Sequence, residues 1–421
     1  MHRRSRSPLL LMALTVFIDL MGFGIILPLL PFWAEKLGAN PFEVGLILTI
    51  YAVAQFLFTP LLGALSDRFG RRPVIIVSLL IEAASFALTA LAGSLPVLLI
   101  ARFIGGIGSS NIGSAQAVVA DVTPPEGRAR GMGLIGAAIG MGFVVGPAIG
   151  GVLAGQGQVV PFWAAMAVAL VNALLVLLFL PETRKQRIAQ IGASSEPERV
   201  QSGGLFGGWQ RAFSSPMLAR LIGINLLFTL AFTAMEAVFP LFTQQTFRWD
   251  ATQNGYIFTY VGIVIVIVQG GLVGVLVKRF GERAVLIGGL ALLAGGLLLL
   301  PVSQSLAVLL IALAILSAGD GAVTPTTSAL LSLASPSHAQ GETLGIAQGV
   351  AGLGRIFGPI LAGALFSIGV GLPFAAGGVI VLLALLLALG RFPTRAHGSA
   401  QTHMSAPPGA EPVVADSTQV G

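Results

Sequence analysis

Six ionisable side chains lie within long apolar stretches of this sequence, where water does not readily solvate them. They are four carboxylic acids and two guanidinium cations: Asp19, Glu82, Glu236, Asp320, Arg102 and Arg355. A charge in an apolar medium costs on the order of several kcal/mol unless it is paired, hydrated or neutralised, and burial of a carboxyl group favours its protonated form. Such an acid can bind and release protons near neutral pH. We therefore predict proton coupling through these acids, with Asp19 as the carrier and with Glu236 or Asp320 as its partner in the second half. If Asp19 is not the coupling site, the candidates are Glu236, Asp320 and Glu82, in that order.

Polar side chains recur at steps of three and four residues on two of the apolar stretches, so that each set shares one face of a helix. The sets are Arg102, Gly106, Ser109, Gly113 and Gln116, and Ser317, Asp320, Thr324 and Ser328. Both stripes are typical of helices that line a wet cavity, and hydrogen bonding between helices is the alternative. The residues that we assign to a substrate cavity are Arg102, Ser109, Gln116, Gln269 and Thr324.

The elements that position these residues must lie in lipid. The chain has 421 residues, of which 55% are hydrophobic and 10% charged, and its mean hydropathy is +0.91. Stretches of about 20 apolar residues cross a bilayer as helices, and their length and lack of alternation exclude a barrel. The sequence predicts an all-α membrane protein with twelve transmembrane helices, here called spans 1 to 12, over residues 9–34, 43–66, 74–94, 96–120, 131–154, 160–180, 217–243, 253–276, 284–303, 305–333, 343–368 and 371–390. A cleaved signal peptide fits the first stretch less well, because the stretch continues past Asp19 and through Pro28 without a cleavage site of small residues.

The distribution of positive charge predicts the orientation of the chain. With the N-terminus inside, 19 of the 23 Lys and Arg residues fall on the cytoplasmic side. By the positive-inside rule both termini are then cytoplasmic in a multi-pass protein of the cell membrane. The net charge of +6 follows from this orientation and does not indicate nucleic-acid binding.

The chain also repeats itself. The pattern of Gly63 to Arg72 returns at Gly274 to Arg283, and Gly146-Pro147 returns at Gly358-Pro359, with offsets of 211 and 212 residues. The register holds from the first span of each half to the fifth, which predicts two six-helix halves related by an internal repeat. Residues 1–181 form the first half and 216–391 the second. Residues 182–215 are expected to form a cytoplasmic linker and 392–421 a disordered cytoplasmic tail.

Several motifs carry a family resemblance. The segment GALSDRFGRRP (63–73) stands between spans 2 and 3, Asp19-x-x-Gly22-x-Gly24-x-x-x-Pro28 lies in span 1, Arg102-x-x-x-Gly106 lies in span 4, and Pro181-Glu182-Thr183-Arg184 follows span 6. Span 5 contains the Gly-Pro motif whose residues are Gly142, Gly146, Pro147, Gly150 and Gly151. Together they resemble the major facilitator superfamily and, within it, the twelve-span drug/proton antiporters, in particular the tetracycline-exporter branch.

The resemblance assigns roles to two motifs. It implies that Asp67 latches the two halves on the cytoplasmic side while the outside is open, and that the span 5 motif belongs to antiporters. The cytoplasmic gate would comprise Gly63, Asp67, Arg68, Gly70, Arg71 and Arg72. The alternatives are that the arginines only set topology and that the span 5 glycines only let another helix approach closely.

We therefore expect a proton-coupled efflux transporter for small amphipathic compounds such as drugs, with a proton-coupled importer of a sugar or other metabolite as the alternative. An enzyme or ATP-driven pump is disfavoured because no G-x-x-x-x-G-K-[ST] and no H-E-x-x-H motif occurs. The expected partners are a small-molecule substrate, protons and the bilayer, without cofactor or nucleic acid, and a monomer is one option that the sequence leaves open. Where tetracycline exporters carry a His in span 8 and an Asp in span 9, this sequence has Ile265 and Leu293, so the resemblance does not carry tetracycline over as the substrate.

Overall fold

A computed structural model describes residues 6–123, 128–182, 215–335 and 340–390. The described chain contains twelve helical segments that are long and apolar enough to cross a membrane, which confirms the predicted all-helical bundle. In chain order, spans 1 to 12 comprise Pro8–Lys36, Pro41–Phe69, Arg71–Ala90, Leu95–Val119, Gly131–Ala154, Val160–Phe179, Pro216–Phe247, Ala251–Phe280, Glu282–Val302, Leu306–Ala334, Gln340–Ile368 and Leu372–Leu389. The predicted linker, apart from its first and last residues, and the predicted tail lie outside the described residues.

Three spans are interrupted. Span 1 is formed by the helices Arg6–Ile26 and Leu30–Lys36, which are separated at Pro28 because proline has no N–H to donate and its ring clashes with the carbonyl four residues earlier. In span 4 a 3₁₀ turn at Ser109–Asn111 separates two α-helices, and in span 8 a π-turn occupies Val268–Leu272. Irregular turns of this kind often mark functional positions in helices.

The two halves repeat one another in structural detail, as predicted. Gly70 and Gly281 end spans 2 and 8 with φ of 109° and 80°, a region that favours glycine because it has no Cβ. Directly after these turns, Arg72 donates to the carbonyl of Leu177 in span 6, and Arg283 donates to the carbonyl of Leu389 in span 12 at 3.0 Å. Equivalent arginines thus link the third span to the sixth span in each half.

The packing of spans is also duplicated. In the first half, span 1 packs on spans 5 and 6, span 3 on spans 4 and 6, and span 2 on span 4; spans 7 to 12 repeat these pairs in the second half. The main contacts between halves are span 2 with span 11 and span 5 with span 8. We call these two contacts the seam.

At one end of the bundle the seam is closed. A Cβ built on Gly255 of span 8 would lie 2.7 Å from the Pro147 carbonyl of span 5, and one built on Gly363 of span 11 would lie 3.0 Å from Phe42 Cα of span 2. Thr49 of span 2 donates to the Ile356 carbonyl of span 11 at 2.8 Å. The backbones of the two halves therefore touch here.

At the other end the seam is open. This basic end carries Arg68, Arg71, Arg72, Lys278, Arg279 and Arg283. Within the described chain, a Cβ built on Gly133 or Gly136 of span 5, Gly270 of span 8, or Gly345 or Gly349 of span 11 would meet no atom within 4 Å. The two halves thus diverge toward the basic end and leave a groove between them.

Candidate functional site

Two acids meet inside the first half. Asp19 of span 1 and Glu82 of span 3 are 7% and 2% exposed, and their carboxyl groups lie next to each other. Two carboxylates at close range repel, and a hydrogen bond between them requires a proton on one of the two. A proton on either acid would therefore replace this repulsion by an attraction. Sequence reasoning ranked Glu236 and Asp320 ahead of Glu82, and the structure instead places Glu82 beside Asp19.

The close approach of spans 3 and 4 helps to position this pair. Gly108 of span 4 lies against the backbone of Glu82, and a Cβ built there would be 2.7 Å from the Glu82 nitrogen. The 3₁₀ turn follows directly. Ser110 Oγ donates to the Gly106 carbonyl at 2.8 Å, a local bond of the kind by which serine competes with helical bonding.

The turn presents Asn111, which sequence reasoning missed, to the acids. Its side chain is 5% exposed and lies beside the Asp19 carboxyl group. The signal in the sequence was a run of three polar residues, Ser109–Asn111, within an apolar span. A polar side chain buried at membrane depth needs a partner, and here the partner is the acid.

A buried cation stands next to the pair. Arg102 of span 4 is 2% exposed, and its Nη2 donates to Thr89 Oγ1 at 2.9 Å and to Ser85 Oγ at 3.3 Å. Its guanidinium lies 5.9 Å from the ring centre of Tyr51 and 6.0 Å from that of Phe86. Two hydroxyls and two aromatic rings thus surround this buried cation.

The charge of Arg102 nevertheless acts on Glu82. Glu82 is close enough for an electrostatic interaction, although the two ion pairs found among the described residues do not include Arg102. A fixed positive charge nearby lowers the cost of a negative charge on the acid pair. The arrangement can therefore support both a protonated and a deprotonated pair.

The two acids of the second half form a separate group. Glu236 of span 7 and Asp320 of span 10 are half-buried, and each lies within electrostatic reach of the other. Thr324, one turn further along span 10, lies beside Asp320. The neighbours that influence Asp19, in contrast, are Glu82 and Asn111 of the first half. The four acids thus lie in two clusters, one in each half.

The predicted cavity residues also divide into two sets. Arg102 and Ser109 are buried in the network of the first half, whereas Gln116, Gln269 and Thr324 are exposed. Gln269 belongs to the π-turn of span 8. It lies on the same face of span 8 that contacts span 5 closer to the closed end of the seam. Of the residues assigned to the cavity, the exposed ones are those available to a ligand.

The segment 63–73 is held within its own half. Asp67 pairs with Arg71 at 2.6 Å, and Arg71 also contacts Asp121 of the helix Ile112–Val122 at 3.3 Å. The Glu182 carboxylate accepts from the backbone N–H groups of Arg71 and Arg72 at 3.0 and 3.2 Å, where the N-terminal helix dipole of span 3 favours an anion. Asp67 has no second-half ion-pair partner among the described residues, and its side chain is 67% exposed.

The glycines of the span 5 motif divide between two partners. Gly142, Gly146 and Gly150 lie against span 1, and a Cβ built on Gly146 would be 2.8 Å from Gly24 Cα. Gly151 faces span 8 across the seam, 2.9 Å from the Thr252 carbonyl when a Cβ is built on it. Span 5 is therefore in contact both with the helix that carries Asp19 and with the other half.

The sequence and the fold of this chain are similar to those of known transporters. A family model described as "Major Facilitator Superfamily" matches residues 12–281 and 270–414. "Tetracycline resistance protein, class C" of Escherichia coli is 31% identical over 389 residues, which cover 91% of this chain and 96% of that protein. "Multidrug resistance protein 2" of Bacillus subtilis (strain 168) is 30% identical over 380 residues, covering 89% and 92%. The crystal structure of the human organic anion transporter MFSD10 (TETRAN) superposes with a TM-score of 0.68 at 27% identity, covering 92% and 100%.

Proposed function

This chain belongs to the major facilitator superfamily of membrane transporters, and we propose that it is a proton-coupled efflux antiporter for small amphipathic compounds. It would work by alternating access in the cell membrane. The observation that carries the proposal is the contact between the carboxyl groups of Asp19 and Glu82 beside the fixed charge of Arg102.

The acid pair provides two states that differ by a proton. With one proton on the pair, the two groups share a hydrogen bond; without it, two negative charges repel and are stabilised mainly by Arg102 and Asn111. A state of the protein that brings water or a hydrogen-bond donor of the ligand to the pair favours loss of the proton. Proton binding and substrate binding would thereby compete, which is the requirement for antiport.

One helix, span 5, lies between span 1, which carries Asp19, and the second half of the protein. Asp19 lies on span 1, which packs on the glycine face of span 5 that includes Gly142 and Gly146, and the opposite contact of span 5 is with span 8 through Gly151. A shift of span 1 when the pair loses its proton would therefore reach the contact between the halves through packed backbone. This continuity supports coupling between protonation and the opening of the groove.

If the basic end is cytoplasmic, as the positive-inside rule predicts, the groove opens inward in this structure. The exposed Asp67, paired with Arg71 of its own half, agrees with an unlatched cytoplasmic gate. In the outward-open state, Asp67 would engage the second half, as the family resemblance implies. Gln116, Gln269 and Thr324 would contribute polar contacts to a substrate that enters the groove.

The direction of transport separates this proposal from a proton-coupled importer of a sugar or other metabolite. In everted vesicles with an acidified lumen, an exporter accumulates a fluorescent amphipathic compound such as 1-pyrenebutyrate against its gradient, and dissipation of the pH gradient releases it. Asp19→Asn should abolish the accumulation. Ser78→Ala in span 3 is the matched control, because its buried hydroxyl makes no hydrogen bond to the described residues. Accumulation that is independent of the pH gradient, or equal in Asp19→Asn, would contradict the proposal.

A further inference from the structure

A second buried cation differs from Arg102 in its surroundings. Arg355 lies in the middle of span 11 (Gln340–Ile368) and is half-buried. Its guanidinium forms no hydrogen bond or ion pair with another described residue. Arg102 has two hydroxyls, two rings and a nearby acid, whereas the guanidinium of Arg355 has no protein partner in the described chain.

The faces of span 11 show where Arg355 points. Gly354 lies against span 7, since a Cβ built on it would be 2.9 Å from the Leu230 nitrogen, and the carbonyl of Ile356 accepts from Thr49 of span 2. Arg355 comes between them in sequence and is about 100° from each around the helix. It therefore faces the gap between span 2 of one half and span 7 of the other.

The opposite face of span 11 is apolar. Phe357 and Leu361 are 51% and 48% exposed, and Phe357 is about 200° from Arg355 around the helix. Large exposed apolar side chains on one side of a transmembrane helix mark the side that faces lipid. Arg355 thus points away from lipid and into the groove between the halves.

Two neighbours extend this position into a potential binding surface. Gln348 precedes Arg355 by two turns on the same face, toward the basic end, and is exposed. Phe56 of span 2 lies against Gly352, one turn before Arg355, and is 38% exposed. The groove therefore offers a guanidinium, an amide and an aromatic ring from two halves of the protein.

A lone charge at this depth needs a compensating partner, because an intramembrane cation costs on the order of several kcal/mol when unpaired. Guanidinium presents a planar fork of donors that matches a carboxylate or a related oxyanion. We propose that Arg355 binds an anionic oxygen group of the transported compound, while the apolar body of that compound packs on Phe56. This assignment rests on the proposed transport function and narrows its substrates to amphipathic anions.

Binding to the purified full-length protein in detergent tests the assignment without a proton gradient. The probes are the fluorescent carboxylate 1-pyrenebutyrate and its uncharged amide, which share one apolar body. We expect the wild-type protein to bind the carboxylate about tenfold or more tightly than the amide, the range of a charge-assisted hydrogen bond. Arg355→Gln should remove this preference and leave amide binding unchanged, and Arg355→Lys should retain part of it.

Lys278→Gln is the charge-matched control, since it removes one exposed cation at the basic end outside the groove. It should keep the preference for the carboxylate. Equal binding of the two probes by the wild-type protein would overturn the assignment even if Arg355→Gln does not fold, and so would a preference that survives in a folded Arg355→Gln. Failure of pH-driven export with this preference intact would count against the proposed antiport alone.

Discussion

The carboxyl group of Asp19 contacts that of Glu82 inside the first half of the bundle, and the side chain of Asn111 lies beside Asp19. Spans 1 and 3, which carry the two acids, are separated in the chain by span 2. Beside the pair, Gly108 of span 4 lies against the backbone of Glu82, so that spans 3 and 4 pack at backbone distance. The pair, with Arg102 beside it, supports a proton switch in the half of the protein that also carries the gate motif.

Glu82→Gln should uncouple the pair. A glutamine amide donates a permanent hydrogen bond to Asp19, so that the carboxylate is stabilised without a shared proton. We expect accumulation driven by a pH gradient to fall at least tenfold in vesicles, while exchange of substrate down its own gradient continues. Ser78→Ala, four residues away on span 3, controls for disturbance of the helix. A Glu82→Gln protein that accumulates substrate like the wild type would show that Glu82 takes no part in coupling.

Arg102→Ala should impair transport even when the protein is made in normal amount. Loss of the positive charge favours the protonated form of the acid pair, so the pH at which transport is half-maximal should rise. The hydroxyls of Ser85 and Thr89 also lose a partner, which costs about 1–3 kcal/mol of stability. Arg102→Lys keeps the charge and should keep the wild-type pH profile. An unchanged profile in Arg102→Ala would exclude an influence of this cation on the acids.

Asp67→Asn should shift the population toward the inward-open state. The Asp67–Arg71 pair seen here is exposed and contributes at most about 1 kcal/mol, so insertion and folding should persist. The chain has no cysteine, and a single cysteine at Gly345, in the open part of the seam, can report accessibility to a cytoplasmic thiol reagent. Labelling should increase in Asp67→Asn. Lys278→Asn, at the equivalent position of the second half, is the control; equal labelling in all three proteins would leave the motif with a topological role.

Gly146→Ala should destabilise the first half. The added methyl would stand 2.7 Å from the Met21 carbonyl of span 1, and overpacking of this kind costs about 1–3 kcal/mol. Gly136→Ala lies on the same helix in open space and should be neutral or stabilising, because alanine favours helix. Thermal unfolding in detergent should separate the two variants by several degrees. Identical midpoints would mean that spans 1 and 5 are looser than the structure indicates.

The sequence was sufficient for features that depend on length, period or local spacing. Twelve apolar stretches predicted the spans, and the return of one motif predicted two halves that repeat each other, as the turns at Gly70 and Gly281 do. These properties require no knowledge of which helices are neighbours.

The pairing of the acids was beyond the sequence because it depends on helix packing. The spacing of Asp19, Glu82, Glu236 and Asp320 in the sequence does not decide which spans bring their acids together. Glu82, the acid that lies next to Asp19, was therefore ranked last among the other three. The isolation of Arg355 is equally non-local, since it follows from which side chains fail to reach span 11. The importance of Asn111 could be predicted in principle, because it is a polar residue in an apolar span. Its neighbour, Asp19, could not be predicted from the sequence.

Proton release on substrate binding is the most direct test of the account. Purified protein in a weakly buffered detergent solution is mixed with a compound that the wild type exports, and the pH is recorded. We predict that the wild type releases protons on addition of the compound and that Asp19→Asn binds the compound without releasing them. The same variant should exchange substrate across a membrane and fail to concentrate it. Proton release by Asp19→Asn, or export against a gradient by this variant, would place the coupling site outside the Asp19–Glu82 pair.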